Sequence, residues 1–147
     1  MANVAFIGNR EESIKSIADI LEFDYHHKIT PLTDIDTAHK SVDSVLYDVI
    51  ILDEEMFPVP DIDHTNCLAD LIAMAQYIKR DECINKETPL IAHVVEKVGE
   101  YEHDQIKASG YIVGIPRFYM YDALINYCIE NKKLHSPLVK MIGSNSR

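Results

Sequence analysis

With 147 residues, 47% of them hydrophobic and 26% charged, the chain is long enough for one domain with a buried core and has an ordinary globular composition. Its formal net charge of -10 argues against a nucleic-acid or anionic-membrane surface, because both need a basic patch to release counterions. No apolar run approaches the length that crosses a bilayer, and the opening MANVAFIGNREES lacks a basic stretch followed by a long apolar one, so a cytoplasmic protein is expected. Cys67, Cys83 and Cys128 are far apart and form no CxxC pair, which points to reduced thiols rather than a disulfide framework or zinc site.

Five apolar runs bounded by turn residues read as strands: NVAFIG, KITPL, DVIILD, PLIAHVV and GYIVGI. After the first, Ile14, Ile17, Ala18 and Leu21 recur at helical spacing, with Asn9 placed to cap and Glu12 three residues on. A second helix is predicted from Ile35, Ala38, Val42 and Val45, and a longer third from Leu68, Leu71, Ile72, Ala75 and Ile78. The fourth starts near Val98 with weak patterning. The fifth shows an inward stripe of Met120, Ala123, Leu124, Tyr127 and Cys128. Strands alternating with helices predict an α/β protein with a doubly wound parallel sheet, since each parallel pair needs a crossover helix. The flavodoxin-like (βα)5 order 2-1-3-4-5 follows, with ligand chemistry at the C-terminal ends of strands one and three. The domain is expected over residues 1–131, followed by a basic C-terminal tail, residues 132–147, with four basic residues and no acidic one.

Asp53, Glu54 and Glu55 end the third strand, directly after Val49 to Leu52. They fall in a stretch from Ser41 to Ile78 that holds eight acidic residues and no Lys or Arg. An aspartate at that position can accept a phosphoryl group, hold a metal, or cap a loop through backbone N–H groups, Arg10 or Lys97. DIDHTNC offers Asp61, Asp63, His64 and Cys67 as metal ligands at close spacing, although an acidic helix N-terminus explains the same residues. His26, His27, His39, His93 and His103 are scattered and form no legible nucleophile arrangement, and no phosphate-loop pattern is present, so no enzyme is expected.

Over residues 3–131 the pattern resembles the receiver domain of bacterial response regulators. YDVIILDEEMFP matches that family's strand-three aspartate followed by a methionine and a proline, and ASGYIVGIPRF matches its strand-five run. The resemblance implies that Asp53 stands at the phosphoacceptor position, where the family takes a phosphoryl group from a kinase phosphohistidine with magnesium in support. The matched positions withhold the rest of that machinery. Gly8 and Asn9 stand where two acidic residues hold the metal, Val94 where a Ser or Thr binds phosphoryl oxygens, and Gly114 or Ile115 where a lysine precedes the proline. Glu54 and Glu55 add negative charge, and only Glu11, Glu12 or Glu55 could rebuild a magnesium site, so no cofactor and no resident metal are expected.

Tyr111 matches an aromatic that moves between inside and outside in the family. Tyr119 and Tyr121 are expected near the rim of a partner face formed by the fourth helix, fifth strand and fifth helix, a face that supplies six of the chain's twelve aromatics. The expected function is a stand-alone receiver-like domain that signals by protein contact, with a sensor kinase or output protein as partner and a homodimer through that face. The alternatives are a phosphoacceptor with an atypical metal site and a flavodoxin-like small-ligand binder.

Overall fold

A computed structural model describes residues 2–8, 11–54, 67–95, 98–114, 117–131 and 139–142. The chain alternates β1 (Asn3–Ile7), α1 (Glu11–Phe23), β2 (Lys28–Leu32), α2 (Ile35–Ser44), β3 (Val49–Asp53), α3 (Cys67–Lys79), β4 (Leu90–Val94), α4 (Glu100–Ile106), β5 (Gly110–Val113), α5 (Phe118–Glu130) and β6 (Val139–Ile142). All neighbouring strands are parallel, in the order β2-β1-β3-β4-β5-β6. The expected order 2-1-3-4-5 is present, and the stretch expected as a tail adds a sixth strand at the β5 edge.

Side chains alternate across each strand, and the sheet therefore has two cores. On one face Ala5, Ile50, Leu52, Leu90, Ala92 and Val94 pack with residues of α2, α3 and α4. On the other, Phe6, Val49, Ile51, Ile91 and Ile112 pack with residues of α1 and α5. β3 lies at the centre because Val49 to Leu52 are fully buried on both faces, each contributing about 2 kcal/mol of burial. Its C-terminal end is thereby fixed in the middle of the sheet.

Local chemistry sets the ends of the helices. The Asp34 carboxylate accepts from the Thr37 N–H and hydroxyl, both at 2.8 Å, and caps α2. The Glu102 carboxylate accepts from the Gly99 N–H at 3.1 Å and starts the short α4, which stops at Lys107 with φ of 54°. Asn9, expected to cap α1, lies outside the described residues. The α2 stripe is narrower than expected: Ala38 and Val42 are buried, whereas Ile35 and Val45 at its two ends are exposed. On α5 the buried set is Met120, Tyr121, Leu124, Ile125 and Cys128. That rotates the expected stripe by about one residue, because Tyr121 reaches into the core against Phe6 with ring centroids 5.7 Å apart.

Candidate functional site

Asp53 closes β3 on the same face as Ile51, towards α1 and α5. Its register partner on β4 is His93, which shares that face with Ile91. The two side chains are mostly enclosed, 13% and 16% exposed, and His93 Nδ1 stands 3.8 Å from Asp53 Oδ1. The other ring nitrogen, Nε2, lies 2.8 Å from the Gly114 carbonyl oxygen. A carbonyl only accepts, so Nε2 carries the proton and Nδ1 is the nitrogen turned to the carboxylate. Nδ1 is buried and has no hydrogen-bond partner among the described residues. His93 thus links the end of β3 to the turn after β5, where Gly114 has φ of 86°.

Gly8 forms the floor of the crevice. Its N–H donates to the Leu32 carbonyl at 3.1 Å, and a Cβ on Gly8 would lie 2.9 Å from Asp53 Cβ and 2.8 Å from Ile14 Cδ1. Asp53 and Ile14 already fill the space that any side chain at position 8 needs. Glu54 acts as a clamp between strands: its N–H donates to the His93 carbonyl at 2.9 Å, and its carboxylate accepts from the Val95 N–H at 3.1 Å. Asn9 and Glu55 lie outside the described residues, as do the proposed cationic partners Arg10 and Lys97 and the candidate ligands Asp61, Asp63 and His64.

Tyr121 packs from α5 into the core on the same face of the sheet as Asp53. It is 1% exposed rather than at the rim as expected, and its hydroxyl is buried without a hydrogen-bond partner among the described residues. Burial raises its phenol well above the ordinary value, and the negative charge of Asp53 raises it further. Val94 is also placed differently from expectation. It is fully buried in the core on the opposite face and does not line the crevice, because it is one residue beyond His93 on an alternating strand. Tyr111 sits on that opposite face too, 2% exposed, with its hydroxyl hydrogen-bonded to His103 Nδ1 at 2.8 Å. Burial pushes the Tyr111 hydroxyl up to about 12. Of the expected partner face, Tyr119 is exposed, together with Tyr101 and Phe118.

Magnesium asks for several oxygen ligands in near-octahedral array. Among the described residues no group of three His, Cys, Asp or Glu side chains is gathered to hold a metal ion. Gly8 brings no carboxylate and has no room for one, and the Glu54 carboxylate accepts from Val95. These residues do not fit magnesium.

No protein-family model and no curated protein matches the sequence. Solved structures do match. The chain has the receiver-domain fold. The receiver domain of a Francisella response regulator is 18% identical and superposes with a TM-score of 0.63 over 89% of this chain and 98% of its own. The receiver domain of a Pseudomonas aeruginosa sensor histidine kinase, with magnesium coordinated in its active-site cleft, is 14% identical with a TM-score of 0.65, covering 88% of this chain and 98% of its own. The Vibrio cholerae chemotaxis protein CheY4 is 20% identical with a TM-score of 0.64 over 86% of this chain and 98% of its own. At these identities the likeness is one of fold. In the receiver fold Asp53 ends the third strand, as the sequence resemblance implied, and sequence reasoning missed His93 as its neighbour and Tyr121 as a core residue on the same face. The signal for His93 was its parity: a histidine in an apolar strand, two residues after Ile91, lands on the Asp53 face once β3 and β4 are paired in register.

Proposed function

We propose that the chain is a receiver-like signalling domain that acts by protein–protein contact, with phosphoryl transfer to Asp53 lost or much weakened. The observation that carries this reading is the close approach of Asp53 and Ile14 to Gly8, which leaves no space at position 8 for a metal-binding carboxylate. A carboxylate attacking a phosphoryl group meets like charge, and the reaction runs only where cations or aligned donors offset it. Gly8 and His93 stand beside Asp53, and no reaction of the domain's own is assigned to them. The exposed Tyr119, Tyr101 and Phe118 support contact with a protein partner, either a sensor kinase or an output protein.

Treatment with a small-molecule phosphodonor and magnesium tests the proposal. Intact mass is expected to stay unchanged. A stoichiometric phosphoryl adduct that disappears in Asp53→Asn would overturn the reading in favour of an acceptor with an atypical metal site.

A further inference from the structure

The C-terminal half of α1 breaks two ordinary rules at once. Phe23 is 83% exposed, the most open large apolar side chain among the described residues. The last turn carries Glu22 and no basic residue, although the C-terminus of a helix is its negative end and favours cations. Between Lys15 and Lys28 the sequence has Asp19, Glu22 and Asp24 and no Lys or Arg.

The helix gathers these residues on one surface. Ile14, Ala18 and Leu21 are buried in the core, and helical spacing therefore turns Asp19, Ile20, Phe23 and Asp24 to the outer side. Together with Glu22 they are the described residues lining an open groove of about 540 Å³. The Glu22 carboxylate is held in place by accepting from the Ile29 N–H at 3.0 Å. Neither the Asp19 nor the Asp24 carboxylate has an ion-pair partner among the described residues. A phenylalanine set outward among such carboxylates, at a helix end that is already negative, gives the free domain no contact in return.

We infer that this groove is a docking surface for a basic segment of another protein, with an apolar anchor seated on Phe23 and Ile20 and Lys or Arg side chains paired with Asp19, Glu22 and Asp24. The inference rests on the reading that the domain acts by protein contact, and gives that contact a surface and a partner chemistry. The surface lies at the opposite end of the sheet from Asp53: α1 leads into the start of β2, where Lys28 is the register partner of Asn3, whereas Asp53 is the last residue of β3. Charge names the occupant. A second copy carries a net charge of -10 and is repelled by three carboxylates. Of the chain's own basic stretch, Lys140 is on β6, opposite Tyr111 of β5, at the edge of the sheet furthest from β2.

Binding of a fluorescent peptide, read by anisotropy, tests this. The probe is about four helical turns long with Leu and Lys at helical spacing, and its two controls replace Leu by Ser or Lys by Glu. Wild type is expected to bind the Leu/Lys peptide and neither control. Phe23→Ser should weaken binding about ten-fold or more, and Asp19→Asn with Asp24→Asn should weaken it several-fold and flatten its salt dependence. Tyr119→Ser should bind as wild type does. The replaced side chains are all exposed, and unchanged far-UV circular dichroism verifies that each variant is folded. If Phe23→Ser binds as tightly as wild type, the attraction is diffuse charge and the inference fails. It fails equally if Tyr119→Ser loses as much affinity as Phe23→Ser. Tighter binding by Lys132→Ser with Lys133→Ser would make the chain's own lysines the occupant, and self-association of wild type that Phe23→Ser abolishes would make it a second copy; either result overturns the inference. A phosphoryl adduct on Asp53 would leave this surface standing, and absence of peptide binding would leave the reading of Asp53 standing.

Discussion

Two clusters of buried polar groups, around Asn85 and around His93, are satisfied to different degrees. At the N-terminal end, Asn85 is fully buried in the loop between α3 and β4, and every polar atom of its amide is used. Its Nδ2 donates to the Val42 and Val45 carbonyls, both at 2.7 Å, and its Oδ1 accepts from the Tyr47 N–H and the Thr88 hydroxyl, both at 2.9 Å. At the C-terminal end, His93 Nδ1, which faces Asp53, and the Tyr121 hydroxyl on the same face of the sheet are buried without a hydrogen-bond partner among the described residues. Buried polar groups in native proteins are almost always paired, and a fully satisfied network specifies one arrangement. The Asn85 cluster thus holds two loops in place, whereas His93 Nδ1 and the Tyr121 hydroxyl, like Asn3 Oδ1 and His27 Nδ1 at the other end, lack a partner among the described residues.

Removing the Asn85 amide should give the largest effect. Asn85→Ala leaves the Tyr47 N–H and two carbonyls without their partner, and a loss on the order of 4 kcal/mol is expected from denaturant unfolding. A loss no greater than that of an ordinary surface substitution would erase the contrast between the two clusters.

Gly8→Ala comes next. The added Cβ must displace Ile14 or Asp53, and overpacking of this kind should destabilise by about 2 kcal/mol. If the variant is as stable as wild type, position 8 has room, and the argument against a carboxylate there is lost.

Tyr121→Phe sharpens the comparison in the other direction. It removes a buried hydroxyl without a partner among the described residues, so the variant is expected to be neutral or more stable by about 1 kcal/mol. A clear destabilisation would show that the hydroxyl is satisfied, and the cluster around His93 would then resemble the one around Asn85.

The smallest effect lies away from both clusters, on the rim between α2 and α3. The Tyr77 hydroxyl and then the Arg80 guanidinium, which donates to Asp43 at 2.6 Å, hold the Asp43 carboxyl below its ordinary value. A folded-state value below the unfolded one gives stability that is present above the unfolded carboxylate range and lost as pH falls through the folded value. The gap in unfolding midpoint between wild type and Asp43→Asn should thus be small near neutrality and close in acid. A gap that widens in acid would contradict the sign.

The five central strands were legible because each is a compact apolar run ended by turn residues, and the full burial of Val49 to Leu52 matches the run read from them. β6 was hidden because Val139–Ile142 is a four-residue stretch containing Lys140, set among basic residues that read as a solvated tail. The phase of α5 slipped because tyrosine suits either a core or a rim: Tyr121 went inside and Tyr119 outside. At the site, Asp53 was visible as the carboxylate after a buried strand. Its neighbours depend on pairing across strands, which puts His93 beside it and turns Val94 to the other core. No local pattern encodes that register. The lack of a carboxylate at Gly8 was readable, but the reason one cannot be added there is a contact made only in the folded chain.

The central proposal is that phosphoryl transfer to Asp53 is lost or much weakened. Its most direct test is an amide-resolved NMR titration with millimolar magnesium, then with beryllofluoride as a phosphoryl mimic. The account predicts no saturable shifts at Glu54, His93, Val95 and Gly114 in either step. Saturable one-to-one shifts at these amides that vanish in Asp53→Asn would contradict it.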